Sequence, residues 1–429
     1  MATSSHGTLH HRKGNGLVHE VFTQEILDSL RGTAGIGHNR YPTTGTTDLE
    51  NAQPIVFKLK AEEAALAANG DLVNFDRVRH RLQAQGVDLL GNADTETMAQ
   101  MIALEFGRTR DLEAAIRRTA TELVGGYSVV MLVGNRVLAF RDPLGMRPLV
   151  YGTIDGGVAV ASESVALELM GGKVVRDVLP GEVLVLEKGQ LLRSSRMPGS
   201  GASAHCMFEW VYFSRPDSIV EGQSVYDARH RIGLRLAKDS PAEADLVVPV
   251  PDSARPQALG FAEGSGIPYA EALIKNRFVE RTFIIPDQKR RELEVRVKLH
   301  PIPGLLRGKR IVLVDDSIVR GTTLHEIVHM VRSAGATRVD VRVGCPPIVA
   351  PCYFGIDMKE RKDLIAYERN EEQVAQEIGA DSVRYLSIPG LVDSIGMAGD
   401  NLCLGCLTGR YPVEVPEERR RFQKSLAEF

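Results

Sequence analysis

The stretch IVLVDDSIVRGTTLHEIVHM, residues 311–330, leaves few choices for the fold around it. Four consecutive apolar residues, Ile311 to Val314, read as a strand buried on both faces, the pattern of a parallel sheet. The strand runs into two adjacent acids, Asp315 and Asp316, and then a short turn rich in hydroxyls and glycine. Beyond it, Leu324, Ile327, Val328, Val331 and Ala334 recur at helical spacing, and Gly335 stops the run. A strand, turn and helix in this order present the helix N-terminus at the end of a sheet, where backbone N–H groups and the positive dipole end attract an anion. Ser317, Gly321, Thr322 and Thr323 suit a phosphate there. Asp315 and Asp316 would repel it, so they must address something else, such as sugar hydroxyls or a hydrated metal ion. A ribose 5-phosphate has both features. A plain βα turn with acidic and threonine caps is the alternative. It explains the threonines, but not an acid pair followed by Ser317, Arg320 and Gly321 in one turn.

The surrounding sequence falls into two patterns. ADLVVPVP and TRVDVRVGCP are further continuously apolar strands, separated by helical segments, so the second half is α/β with a parallel sheet. Residues 1 to about 200 instead carry short alternating runs with Gly, Asn and Asp turns, such as YSVVMLVGNRVLAFRDPLG and GEVLVLEKGQLLRSS. These predict antiparallel hairpins. Between them, ADTETMAQMIALEFGRT and DLEAAIRRTATELVGG have helical spacing, which makes this half α+β. SSRMPGSGASA reads as the linker, and PVEVPEERRRFQKSLAEF as a charged surface helix. The expected domains are residues 1–200, 201–395 and a C-terminal segment, 396–429.

Composition narrows the function classes. At 429 residues and 43% hydrophobic content the chain can bury a large core. A net charge of −3 gives no global attraction to nucleic acid or to an acidic membrane, so any anion site must be local. No apolar run is long enough to span a bilayer, and no secretory apolar core opens the chain, so the cytoplasm is the expected compartment. Five cysteines, an odd and sparse set, fit a disulfide framework poorly. Metal, redox chemistry and plain burial stay open for them. His10 and His11 are neighbours on a strand and point apart, so they read as a surface pair; His38 and His300 gain no role.

Two more segments bear on a phosphorylated substrate. In VVPVPDSARPQALGFAEGSG a buried strand ends in a tight turn where Asp252 and Ser253 would cap a helix and offer backbone N–H groups to a diphosphate; a helix cap alone is an equal reading. KNRFVERTFIIPDQKRRELEVRVKL, with Lys275 and Arg277 at its start, carries eight basic against four acidic residues and no clean helical face. It is a solvated charged loop or, beside a diphosphate site, a lid that neutralises a leaving diphosphate.

The strand, acid pair and GTT turn resemble the phosphoribosylpyrophosphate (PRPP) loop of type I phosphoribosyltransferases. Taken in order, FEWVYFSRPDS, IKNRFVERTF, VLVDDSIVRGTT and PCYFGID resemble the amidophosphoribosyltransferase family. The likeness extends through KGNGLVHEVF, GHNRYPTTG, NGDLVN, RDPLGMRPLV and SES, and so covers nearly the whole chain. It implies an α+β N-terminal-nucleophile glutaminase domain followed by an α/β type I phosphoribosyltransferase domain. The implied activity makes 5-phosphoribosylamine from PRPP and ammonia drawn from glutamine, the first step of de novo purine synthesis. Position by position, it implies that Asp315 and Asp316 hold the ribose hydroxyls and Mg²⁺, with Ser253 in the metal's outer environment. The turn from Ser317 through Arg320, Gly321 and Thr322 to Thr323 takes the 5-phosphate, and Lys275 and Arg277 with the flap take the diphosphate. Arg40 and YPTTG match the stretch that recognises the amino-acid end of glutamine, Asp94 the acid for its amino group, and Asn69 and Gly70 the oxyanion hole. Ala68 departs from the pattern, where the family commonly has His. Without the resemblance, Asn69-Gly70 reads as a hairpin turn.

In one branch of that family, cysteines in the contexts of Cys206, Cys352, Cys403 and Cys406 hold a [4Fe–4S] cluster. Structural zinc and four independent buried thiols are the alternatives, and Cys345 matches no ligand position. The resemblance further implies a homotetramer inhibited by purine nucleotides. A phosphoribosyltransferase with another acceptor and a catalytically silent PRPP-sensing regulator are the rival readings, the latter without a DNA-binding signature here.

The family's glutaminase uses a Cys at the mature N-terminus, whose own amino group assists its thiol. No cysteine precedes Cys206, and MATSSHG looks like the continuation of a turn inside the longer pattern. The expectation is a chain without its opening segment, through a start assigned too far downstream, deliberate shortening or natural loss, that uses ammonia and not glutamine.

Overall fold

The computed structural model describes residues 1–40, 49–91, 93–199, 201–276, 298–358 and 360–416. They belong to two compact units, one drawn from Met1–Cys206, Cys352–Lys359 and Tyr411–Phe429, the other from Met207–Pro351 and Glu360–Arg410.

The first unit is organised by a six-stranded antiparallel sheet. Its strands run in the order Gln190–Arg196, Glu182–Glu187, Arg136–Arg141, Gly125–Val133, Glu62–Leu72 and Ile55–Leu59. Alternation along Gly125–Val133 sends Tyr127, Val129, Met131 and Val133 into a core shared with Met98, Met101 and Ile102 of the helix Asp94–Thr109. Leu132 faces the other way, onto Ala2, Ile36 and Ala65. That second layer is a small antiparallel sheet with Ala2–Ser5 between Thr8–His11 and Ala34–Ile36. The helix read from DLEAAIRRTATELVGG ends at Ala120, because Gly125 and Gly126 are already paired in the sheet. Residues 194–196, expected in the linker, likewise lie in a strand.

Residues 352–358 pack into this unit although they lie far along the chain. A Cβ on Gly355 would be 3.1 Å from the Gly70 Cα, and Tyr411 stacks edge-on against Tyr353 and Phe354.

The second unit holds a parallel sheet in the order Leu246–Pro249, Arg310–Asp315, Arg338–Val343 and Ser382–Tyr385. Ile311, Leu313, Val339, Val341 and Val383 pack with Ile327 and Val331 of the helix Thr322–Ser333 and with Val374 and Ile378 of Glu371–Ile378. Val247 and Val312, also fully buried, lie on the opposite face, so the apolar runs are covered on both sides. All four strands point the same way, and the turns after Leu246–Pro249 and Arg310–Asp315 meet at their C-terminal ends, where open α/β sheets place ligands. The C-terminal charged helix expected from the sequence falls mainly on residues 417–429, outside the described residues.

Candidate active site

The acid loop leaves the sheet held on both sides. The Val250 N–H donates to the Val314 carbonyl and the Gly344 N–H to the Asp315 carbonyl, each at 2.9 Å. Asp316 is 4% exposed. Its N–H donates to Asp315 Oδ1 at 2.9 Å, and its own Oδ1 accepts the Ser317 hydroxyl at 2.9 Å. Ser253, in the turn after the neighbouring strand, also hydrogen-bonds the Asp316 carboxylate. Burial pushes both carboxyls above their ordinary range. At Asp315 the Asp316 charge adds to the rise; at Asp316 the Ser253 and Ser317 hydroxyls and the Arg229 guanidinium oppose it. Two adjacent oxygen donors in this condition fit a hard divalent cation, whose charge would offset their burial and mutual repulsion.

The helix beyond the turn begins at Thr322, with Gly321 as its N-cap at φ +80°. Gly321 is required twice over. That backbone region is costly for other residues, and a Cβ there would sit 2.2 Å from Ile365 Cδ1. No side chain caps this helix, and Thr322 and Thr323 are exposed, so the plain capping reading of the threonines lacks its hydrogen bonds. The first N–H groups of a 12-residue helix are thus left to face an anion. Arg320, half-exposed, lies 3.8 Å from the Asp363 carboxylate.

The second turn differs from expectation. Helix Arg255–Ser265 starts from Ala254 without a side-chain cap, so neither Asp252 nor Ser253 caps it. The reason is competition: Asp252 accepts Arg255 Nη1 at 2.7 Å and Lys275 Nζ at 2.5 Å, while Ser253 is turned to Asp316. Burial opposes the Asp252 charge, but Lys275 and Arg255 hold its pKa below the ordinary value. Lys275 ends the strand Leu273–Lys275. Arg277 and the rest of the basic flap to residue 297 lie outside the described residues.

In the first unit, Asn69 and Gly70 are not a hairpin turn. They lie inside the strand Glu62–Leu72, opposite Ser128 and Tyr127. Gly70 has φ +145°, and a Cβ would come within 1.9 Å of the Gly126 carbonyl oxygen. Arg147 Nη2 donates to Asn69 Oδ1 at 3.4 Å. Asp94, the first residue of its helix, accepts the Leu72 N–H at 3.2 Å, two residues beyond Gly70. His38, given no role by sequence, hydrogen-bonds the Ala68 backbone, and burial followed by the Arg40 charge pushes its pKa down to about 4. Arg147 and His38 lie in RDPLGMRPLV and GHNRYPTTG, so the signal was present; which strand they reach was not. Arg40 is exposed, and residues 41–45 of the same motif lie outside the described residues.

The five cysteines are all reduced. Cys206 and Cys352 belong to the first unit and Cys403 and Cys406 to the second, each partly buried, whereas Cys345 is wholly buried core. The Cys352 sulfur accepts the Phe354 N–H at 3.4 Å, and burial raises its pKa. Among the described residues, no group of three or more His, Cys, Asp or Glu side chains is assembled to hold a metal ion. No described helix is long and apolar enough to cross a membrane.

Comparison with known proteins now adds to this geometry. A family model for a glutamine amidotransferase domain matches residues 38–169. The amidophosphoribosyltransferase of Methanocaldococcus jannaschii is 47% identical over 98% of this chain and 92% of its own, and that of Bacillus subtilis is 42% identical over 95% and 86%. The solved glutamine PRPP amidotransferase from B. subtilis, complexed with ADP and GMP, superposes with a TM-score of 0.90 at 40% identity, covering 97% of this chain and 91% of that one. Both halves of the sequence reading therefore meet in one set of relatives: the chain belongs to the amidophosphoribosyltransferase family, pentosyltransferases that catalyse the first step of purine biosynthesis.

Proposed function

We propose that this chain forms 5-phosphoribosylamine from PRPP and ammonia, releasing diphosphate, and that its first unit retains residues that recognise glutamine while ammonia itself is the nitrogen donor. The observation that carries the reading is the acid loop: half-buried Asp315 and buried Asp316 beside a helix N-terminus that no side chain caps. In this reading the Ser317–Thr323 turn holds the 5-phosphate, Asp315 and Asp316 hold the ribose hydroxyls and Mg²⁺, and Ser253 orients Asp316 at the metal's edge. Mg²⁺, when bound, supplies positive charge to the diphosphate oxygens. The protein's share is positioning and electrostatics, since displacement at the ribose C1 needs no covalent protein nucleophile. Lys275 is already placed on an anion, Asp252, and with Arg277 it would exchange that partner for the departing diphosphate.

In the first unit, Arg40 and Asp94 would bind the amino-acid end of glutamine, and Asn69 with the Gly70 backbone would stabilise the oxyanion. Cys206, Cys352, Cys403 and Cys406 would be thiolate ligands of a [4Fe–4S] cluster, a donor set chemically suited to iron–sulfur or zinc. Iron and sulfide content of purified protein separates the two. The complex of the B. subtilis relative with ADP and GMP supports inhibition by purine nucleotides. A cytoplasmic homotetramer completes the proposal, and sedimentation measures the assembly.

The deciding experiment is diphosphate release from PRPP and Mg²⁺ with ammonium salt or glutamine as donor. Ammonium-supported release that Asp316→Asn abolishes is the expected result. Folded protein inactive with either donor would overturn the reading in favour of a silent PRPP-binding regulator.

A further inference from the structure

Asp252 and Lys275 belong to a closed cluster of four charged side chains in the second unit. The Asp252 carboxylate is divided between two cations: Oδ1 accepts Arg255 Nη1 at 2.7 Å, and Oδ2 accepts Lys275 Nζ at 2.5 Å. Arg255 is also held from its other side, where Nη2 donates to Glu271 Oε2 at 3.1 Å and the Tyr269 hydroxyl donates to Glu271 Oε1 at 3.4 Å. The two cations are therefore kept differently. Arg255, 34% exposed at its side chain, has two carboxylates, whereas Lys275, 47% exposed, bonds to Asp252 alone among the described residues. Two acids and two bases leave the cluster without net charge, so an arriving anion meets a cation only when one is freed from its carboxylate. Lys275 leaves at the lower cost: a half-exposed ion pair is worth little, and Asp252 stays paired with Arg255 when it goes.

We propose that Asp252 competes with diphosphate for the Lys275 ammonium, and so sets how tightly this site takes a diphosphate, whether carried on PRPP or released as product. The exchange breaks one ion pair and makes another, and it moves no proton. A free ammonium would hold substrate and departing diphosphate alike more tightly, and such uniform tightening slows product departure without hastening the displacement. This inference rests on the reading of the second unit as the PRPP site.

The test is a double-mutant cycle on the full chain, read by calorimetric titration with inorganic diphosphate at a fixed excess of Mg²⁺. Asp252→Asn keeps an oxygen for Arg255 but gives up the charge that holds Lys275. It is expected to lower Kd by about three- to fivefold, the scale of a half-exposed ion pair. Lys275→Gln should raise Kd, and adding Asp252→Asn to it should then change Kd by less than about 1.5-fold, because the cation competed for is gone. Equal tightening in both backgrounds would mean plain repulsion of the anion by Asp252, and an unchanged Kd in Asp252→Asn a merely structural cluster; either overturns the proposal. Where Asp252→Asn does not fold, Asp252→Ser takes its place in the same cycle, with the same outcomes decisive. Failure of the underlying site looks different: the parent chain then binds no diphosphate, which overturns the PRPP reading and the proposal with it, whereas binding without coupling overturns the proposal alone.

Discussion

The Asp316 N–H donates to the carboxylate of Asp315 at 2.9 Å, while the Asp316 carboxylate is itself taken by the hydroxyls of Ser253 and Ser317. The two acids are thus oriented by separate partners although adjacent in sequence. Both have pKa values raised by burial, so whatever each adds to stability is complete below the ordinary carboxylate range and is lost as pH rises through its folded value. Burial disfavours the charged form of each acid, a burden that the fold carries for its ligand.

Asp316→Asn should therefore lower PRPP-dependent diphosphate release by at least about 100-fold, the scale of losing an electrostatic group aimed at the reacting centre. In Mg²⁺-free buffer its Tm should match or exceed the parent's, with the advantage larger at pH 8 than at pH 5. Circular-dichroism melts at the two pH values check this. A variant markedly less stable at pH 8 would show that the carboxylate stabilises the empty loop.

Gly321→Ala places a methyl 2.2 Å from Ile365 Cδ1 at φ +80°. We expect a loss of about 1–3 kcal/mol in urea unfolding and a higher KM for PRPP. Adding Ile365→Val, which removes the clashing methyl, should recover part of the stability. The backbone strain at residue 321 remains in the double variant, so full recovery would contradict this account.

Gly70→Ala has no comparable rescue, because the atom in the way is the Gly126 carbonyl oxygen, at 1.9 Å. The strand Glu62–Leu72 must separate from Gly125–Val133 at this point or distort. A destabilisation above about 3 kcal/mol is expected. Amide exchange accelerated around residues 62–72 and 125–133, with the second unit unchanged, would locate it.

His38 has a folded pKa of about 4, below the ordinary histidine value. A histidine so depressed contributes stability that is present above its unfolded pKa, near 6.5, and is lost as pH falls through 4. His38→Asn should accordingly flatten the fall in Tm between pH 6.5 and 4.5. Parallel Tm curves for parent and variant would mean that His38 titrates normally.

Much of the second unit was legible because its physics is local. An apolar run flanked by helical spacing specifies a covered parallel strand, and VLVDDSIVRGTT announces a turn, an acid pair and an anion-accepting helix start within twelve residues. Ser382–Tyr385 escaped notice, since alternate residues of SVRY are polar and the run is short. Helix capping by Asp252 was a sound local expectation that lost to two cations from elsewhere, Arg255 and Lys275.

By itself, then, the sequence determined the two structural classes, the order of the halves and the chemistry available at each turn, all set by patterns a few residues wide. Only the tertiary structure decided which distant groups share a site. It put Asn69-Gly70 in mid-strand against Gly126 and Gly355, His38 on Ala68, and Ser253 on Asp316. A side chain's partner across 60 or 90 positions follows from strand register and helix packing, which minimise the exposed apolar surface of a whole unit rather than of any one segment.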